Sequence, residues 1–361
     1  MVTVSVSPNG KNHYETSNPS NEVLVATANG IVSITRPSAT GAWSESRRML
    51  EGKHVGSIAI DPRSGAILAG VHGGGVWASE DGGRTWESRS SGIASDDVYG
   101  LNCVEAGNEV RFYAGTEPAH LYVSTNLGKS WTDLPAIRNV PSVDKWTFPA
   151  PPHVSHVKNI VFDPSDPETL YVGVEVGGAF KSTDGGRTFR ELSGFYEDVH
   201  RMMTVPSRPN DVYMSTGRAL YFSHDRGDSW EEQTLPENRI SYPDALVILP
   251  NQPDLMFTAG SSSSPGAWRT SRDADSRIAR SRDAGRNWEY LEGGLPDHIR
   301  GNIEAVTMNA YAGGFDLFAG TTDGDVFFSN DEGDTWATIG HDLPPVSKSG
   351  HFRNLVAAGA H

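Results

Sequence analysis

The sequence predicts an all-β fold, a single seven-bladed β-propeller domain spanning residues 1–361. Three observations predict it. An octapeptide recurs six times, and the same succession of short apolar segments surrounds each copy. The chain also spends 39 Gly and 22 Pro among 361 residues, a content that suits many short strands joined by tight turns. Repeats on this scale decide the architecture before chain length sets any domain count.

The octapeptide reads Ser79-Glu-Asp81-Gly-Gly83-Arg-Thr85-Trp86, then Ser124-Thr-Asn126-Leu-Gly128-Lys-Ser130-Trp131. It returns as Ser182-Thr-Asp184-Gly-Gly186-Arg-Thr188-Phe189 and Ser223-His-Asp225-Arg-Gly227-Asp-Ser229-Trp230. The last two copies are Ser281-Arg-Asp283-Ala-Gly285-Arg-Asn287-Trp288 and Ser329-Asn-Asp331-Glu-Gly333-Asp-Thr335-Trp336. The serines are 45, 58, 41, 58 and 48 residues apart. Such a segment has the chemistry of a hairpin tip. Ser and Asp oxygens satisfy turn backbone groups, Gly supplies a positive φ, and the aromatic ring drops back between sheets.

Each copy follows three apolar segments and opens a fourth. A first strand ends in a Pro-containing turn (Ile58 to Pro62, Ile160 to Pro164, Met203 to Pro206), and a second follows (Ala66 to Gly70, Leu170 to Gly173). A third runs into the octapeptide (Gly75 to Ser79, Gly178 to Ser182), and a fourth leaves it (Thr85 to Glu87). Four antiparallel strands per repeat make a propeller blade. Residues 23–49 form a degenerate seventh copy that lacks a local first strand. The C-terminal His351-Phe-Arg-Asn-Leu-Val356 matches His156-Val-Lys-Asn-Ile-Val161 and is expected to supply that strand, closing the ring and removing open edges. Residues 1–7 also read as a strand, with no place in this scheme.

The octapeptide resembles the Asp-box, or BNR repeat, S-x-D-x-G-x-[T/S]-W, and the resemblance covers nearly the whole chain. Proteins with this repeat include sialidases, xyloglucanases, sortilin-type receptor domains and photosystem assembly factors. The chain is most similar to bacterial BNR-repeat proteins of glycosyl-hydrolase or sialidase-like type. The resemblance implies a propeller far more specifically than any activity.

Composition removes several function classes. A net charge of −15 argues against general binding to nucleic acid or anionic membranes. One cysteine, Cys103, excludes an internal disulfide framework and a Cys-rich zinc module. Apolar runs such as Ala245 to Leu249 fall far short of a membrane span, and residues 1–20 show no signal-peptide pattern. A cytoplasmic location is expected. No pattern on the outer blade faces indicates an oligomeric state.

Strand direction decides which repeated residues meet. The start of every first strand and the end of every second strand lie on one face, whereas the octapeptide tips lie on the other. The tips are therefore structural, and they lack the ligand count of a calcium loop. The first-strand register carries His54, His156 and His351, and two positions on, Lys158, His200 and Arg353, with Tyr242 and Asp244 in the corresponding region of the sixth blade. The second-strand register, seven residues before each octapeptide serine, carries His72, Glu117, Glu175, Thr216 and Thr322.

Histidines and glutamates gathered at the mouth of one channel point to a ligand or catalytic site. His54, His156, His200, Glu175 and Glu117 are the expected catalytic groups. His54, His72, His156, His200, His351 and Glu175 are the expected ligands of a divalent metal, with zinc, iron, manganese and copper all suited to imidazole and carboxylate donors. Without a metal, the same His/Glu pairs serve general acid–base chemistry. Lys158 and Arg353 would hold negative charge and Tyr242 would line the site. Trp146 and Trp268, in the insertions 138–155 and 260–277, would cover the substrate.

The expected function is metal-assisted or general acid–base hydrolysis or elimination of a small polar or carbohydrate-like substrate. A non-catalytic propeller serving ligand binding or protein assembly is the second reading. A true sialidase does not fit, because Ile34-Thr-Arg36-Pro37 is not the F/Y-R-I-P segment and no arginine triad is apparent. Xyloglucanases pair two propellers around a cleft with two aspartates, and the repeats here account for one propeller. Replacing His156 by Ala is expected to leave the melting temperature nearly unchanged while abolishing metal or ligand binding.

Overall fold

The computed structural model describes residues 2–233, 235 and 239–355. The chain is an all-β, seven-bladed propeller with very little helix; the described residues form seven sheets, of which six have four strands and one has five. It divides into two compact units.

One unit holds Asn9–Lys11 and Lys53–Glu232. Its four sheets begin with the strands His54–Ile60, Val98–Ala106, His156–Asp163 and Val199–Val205, each followed by its second, third and fourth strands in antiparallel order. Strand two ends at the residue expected from the octapeptide spacing in three of these sheets, His72, Glu175 and Thr216, and one residue short of Glu117, at Thr116, in the fourth. First strands are almost wholly buried while fourth strands such as Glu87–Ser88 are exposed, so the sequence grades from apolar to polar across each sheet. Side chains from successive sheets form the core. Leu68, Val76, Leu101, Phe112 and Trp131 make one cluster, and Leu121, Val157, Val172 and Phe180 another. A third gathers Tyr171, Val199, Met202, Met214 and Tyr221.

The octapeptides form the turns between third and fourth strands. In the first, Gly83 N–H donates to Ser79 Oγ at 2.7 Å, and Asp81 accepts from Arg84 N–H, Thr85 N–H and Thr85 Oγ1 at 2.9, 2.9 and 2.7 Å. The Gly-to-Ser bond recurs in the other five copies at 2.8 to 3.0 Å. The bonding glycine has a φ between 77° and 92° in all six, a region that a Cβ disfavours.

The other unit holds Met1–Pro8, Asn12–Gly52 and Gln233–His361. Two of its sheets start at Tyr242–Ile248 and Ile303–Tyr311, and His13–Glu15 adds a parallel fifth strand to the latter. Its third sheet corrects the expected ring closure. The missing first strand is Thr3–Val6, which pairs in parallel with Glu22–Thr27, Val4 opposite Val23 and Val6 opposite Val25. The alternation Thr-Val-Ser-Val suits that place, with Val4 and Val6 both buried. His351–Asn354 is instead a 3-10 turn, and Leu355 is buried against Trp268 and Ala274. Val356, the last residue of the expected strand, lies outside the described residues.

One irregularity repeats. Six first strands lose register with their partners near the start, leaving one extra residue: Gly56, Tyr99, Lys158, His200, Asp244 and Glu304. Such a bulge frees a side chain from strict two-residue alternation and re-aims it, as is common beside functional sites. Five of these six residues are polar or titratable.

Candidate functional site

In the unit holding residues 53–232, the bulges and the ends of the second strands bring together a buried charged array. His156 sits at the centre, 1% exposed. Its Nδ1 lies 3.1 Å from Glu117 Oε2 and its Nε2 lies 3.0 Å from Glu175 Oε2. Burial disfavours the charged ring, but the hydrogen bonds and charges of the two glutamates outweigh it and raise the His156 pKa. Lys158 Nζ lies 3.0 Å from the same Glu175 oxygen. The other oxygen, Glu175 Oε1, faces His200 Nε2 at 3.8 Å, and that nitrogen is 3.5 Å from Asp198 Oδ2. Glu117 is the group nearest solvent, with a side chain 15% exposed against 2% for Glu175.

Aromatic rings wall this array. Tyr99, a bulge residue, stacks on His156 with centroids 3.8 Å apart, and Phe148 meets its edge at 4.9 Å. His72 packs against Tyr99 at 4.3 Å and against His54, its cross-strand partner, at 4.5 Å. His72 Nδ1 lies 3.3 Å from Asp97, whose carboxyl is held below the usual range chiefly by that contact. A Cβ on Gly56 would stand 2.5 Å from His72 Nε2, so that bulge needs glycine. Burial and the surrounding carboxylates push the Tyr99 hydroxyl pKa strongly upward, which keeps it neutral.

The structure therefore brings His54, His72, His156, His200, Glu117, Glu175 and Lys158 into one unit, but with roles that differ from those expected. Both nitrogens of His156 face carboxylates, so it is a bridge and is removed from the metal-ligand set. Among the described residues, the group whose donor atoms all lie within 4.8 Å of one another is Glu175, Asp198 and His200. His54, His72 and His351 are outside it. Trp146 does not cover the array; its ring packs on Phe180 and its Nε1 donates to Ser142 Oγ, while Phe148 of the same insertion touches His156.

The remaining expected residues lie in the other unit. Trp268 is 0% exposed at the heart of the short helix Pro265–Ser271, so it is core and cannot cover a substrate. Arg353 stands over the ring of Phe352 at 5.7 Å, and Nδ1 of His351 is 4.0 Å from Glu304. Tyr242 is buried beside Lys348, whose Nζ is paired with Asp244. Glu304 accepts from Lys348 N–H at 2.6 Å and from Ser347 Oγ at 3.1 Å. This second buried cluster again uses bulge residues, Asp244 and Glu304, and its cation comes from the C-terminal segment.

Sequence reasoning missed Asp97, Tyr99, Asp198, Glu304 and Lys348. A signal for three of them was present. Asp97-Val-Tyr99 and Asp198-Val-His200 share an Asp-Val pair followed by a ring-bearing residue in two blades, ending in each case on the bulge residue.

Comparisons with known proteins bear on the fold and on a third of the chain. Residues 177–295 match the Sortilin-Vps10 family model (sortilin, neurotensin receptor 3). A xyloglucanase from Paenibacillus sp is 28% identical over 138 residues, which is 32% of this chain and 13% of that protein. One from Hypocrea jecorina is 31% identical over 127 residues, 34% of this chain and 13% of that protein. The chain thus spans a small part of the length of these relatives. Among solved structures, an ancestral GH74 enzyme superposes with a TM-score of 0.63 at 16% identity, over 78% of this chain and 38% of that one. YCF48 bound to D1 peptide does so with a TM-score of 0.50 at 16% identity, over 91% and 86%. Both structural likenesses are of fold alone.

Proposed function

We propose that the chain is a hydrolase or lyase acting on a carbohydrate-like substrate by general acid–base catalysis, with Glu117 as the group that meets substrate. The observation that carries this reading is the His156 bridge between Glu117 and Glu175. It fixes the most exposed carboxylate of the array, Glu117, at its solvent edge. The His156 ring holds the Glu117 carboxylate in place, so that it takes a proton from water or from a substrate carbon. Lys158 and Glu175 balance the charge behind it, and His156 acts as a positioning residue. Phe148 and Tyr99 provide apolar surface of the kind that packs on sugar rings. The local sequence similarity to xyloglucanases supports a glycan as the substrate class.

The test is turnover of xyloglucan oligosaccharides and of uronate-containing oligosaccharides by the full chain. Reducing ends report hydrolysis and unsaturated products report elimination. Glu117→Gln should lower kcat by about 10²- to 10⁴-fold. Saturable binding without turnover, unaffected by the substitution, would replace this reading by a non-catalytic binding propeller.

A further inference from the structure

We infer that Glu175, Asp198 and His200 form a binding site for one divalent transition-metal ion. The spacing is that of ligands around an ion. His200 Nε2 stands 3.5 Å from Asp198 Oδ2 and 3.8 Å from Glu175 Oε1, both beyond a hydrogen bond. Two donors with bonds of about 2.1 Å to one metal at a tetrahedral angle lie roughly 3.4 Å apart. All three residues are buried, at 2, 8 and 1% exposure for Glu175, Asp198 and His200.

A second observation points to a ligand independently. Asp198 Oδ1 is a buried atom with no hydrogen-bond partner among the described residues. Leaving such an oxygen dry costs free energy that a bound cation would recover. Glu175 divides its oxygens in a way that suits this site: Oε2 takes His156 and Lys158, while Oε1 turns to His200. Glu175 and Asp198 bring two carboxylates to the imidazole of His200, a donor set of the kind that holds a cation. One imidazole with two carboxylates suits Zn²⁺, Mn²⁺ or Fe²⁺, with open positions for water. Asp198 and His200 are two residues apart, at the start of the strand Val199–Val205, where a register shift leaves His200 as the extra residue.

Metal binding is measured apart from any turnover. Untagged full-length protein stripped with chelator is titrated with Zn²⁺, and separately with Mn²⁺, by calorimetry with elemental analysis of the dialysed product. One equivalent should bind. Asp198→Asn and His200→Gln should each weaken binding by at least about 100-fold while circular dichroism stays that of the parent. Glu117→Gln should retain the full equivalent, which separates this site from the acid–base proposal. Absence of a stoichiometric ion, or binding to Asp198→Asn with parental affinity, overturns the inference. Should Asp198→Asn fail to fold, His200→Gln decides alone.

Discussion

Replacing His156 tests the electrostatics of the array most directly. The ring is 1% exposed and bonded at both nitrogens to glutamates, and Glu175 is itself 2% exposed. In His156→Gln the ring that both glutamates contact is lost, and the Glu175 carboxylate is left buried without it. Removing one partner of a buried ion pair costs about 3–5 kcal/mol, mostly the penalty of the charge left behind. This reverses the expectation of an unchanged melting temperature, which assumed a hydrated residue at a channel mouth. The sign of the pH dependence follows from the raised folded pKa of His156. Its stabilisation is complete below the unfolded value of about 6.5 and is lost as pH rises through the folded value. Urea denaturation of parent and variant, followed by tryptophan fluorescence, should therefore give its largest difference near pH 5.5 and a smaller one near pH 9, by about the same linkage. A difference below about 1 kcal/mol, or one that grows with pH, would refute a charged His156 held between two carboxylates.

Two further substitutions probe the scaffold. Lys348→Met removes the buried cation of Asp244 and should cost about 3–5 kcal/mol by urea midpoint, with most of the loss recovered in the double variant with Asp244→Asn. Ser79→Ala strips Gly83 N–H of its acceptor inside the first octapeptide turn and should cost about 1–3 kcal/mol. Hydrogen exchange at Gly83 should speed up in that variant while exchange in the strand His54–Ile60 keeps its parental order.

The architecture was legible because it is periodic. Six copies of one turn set the register, and second strands end seven residues before the serine at His72, Glu175 and Thr216, and eight before it at Thr116. The closure was not legible, since Thr3–Val6 and His351–Val356 both present strand-compatible residues and only burial decides between them. Pairing Thr3–Val6 with Glu22–Thr27 buries two valines, whereas Leu355 finds its apolar partner in Trp268. That same burial explains the failure at Trp268: an aromatic in a long insertion reads alike as a lid or as the insertion's own core. The site was half legible. Histidine and glutamate positions followed from the repeat, but bulges shift side chains off the alternation on which a register argument depends. Tyr99 entered the array by that route.

The bulges also explain why the two buried clusters differ. A charged residue at an inner strand is costly, and an apolar residue of similar volume would serve stability at least as well. Yet the bulge positions carry Lys158 and His200 in one unit and Asp244 and Glu304 in the other. In the latter the chain supplies its own cation. Lys348 pairs with Asp244 through its side chain and with Glu304 through its backbone N–H, so both carboxylates are served by one residue. In the former, Lys158 and His156 converge on Oε2 of Glu175. Oε1 of Glu175 and Oδ2 of Asp198 stand 3.8 and 3.5 Å from His200 Nε2. Where Lys348 serves two carboxylates directly, this cluster sets two carboxylates and an imidazole at the separations that a shared cation would span, which is the geometry on which the inferred metal site rests.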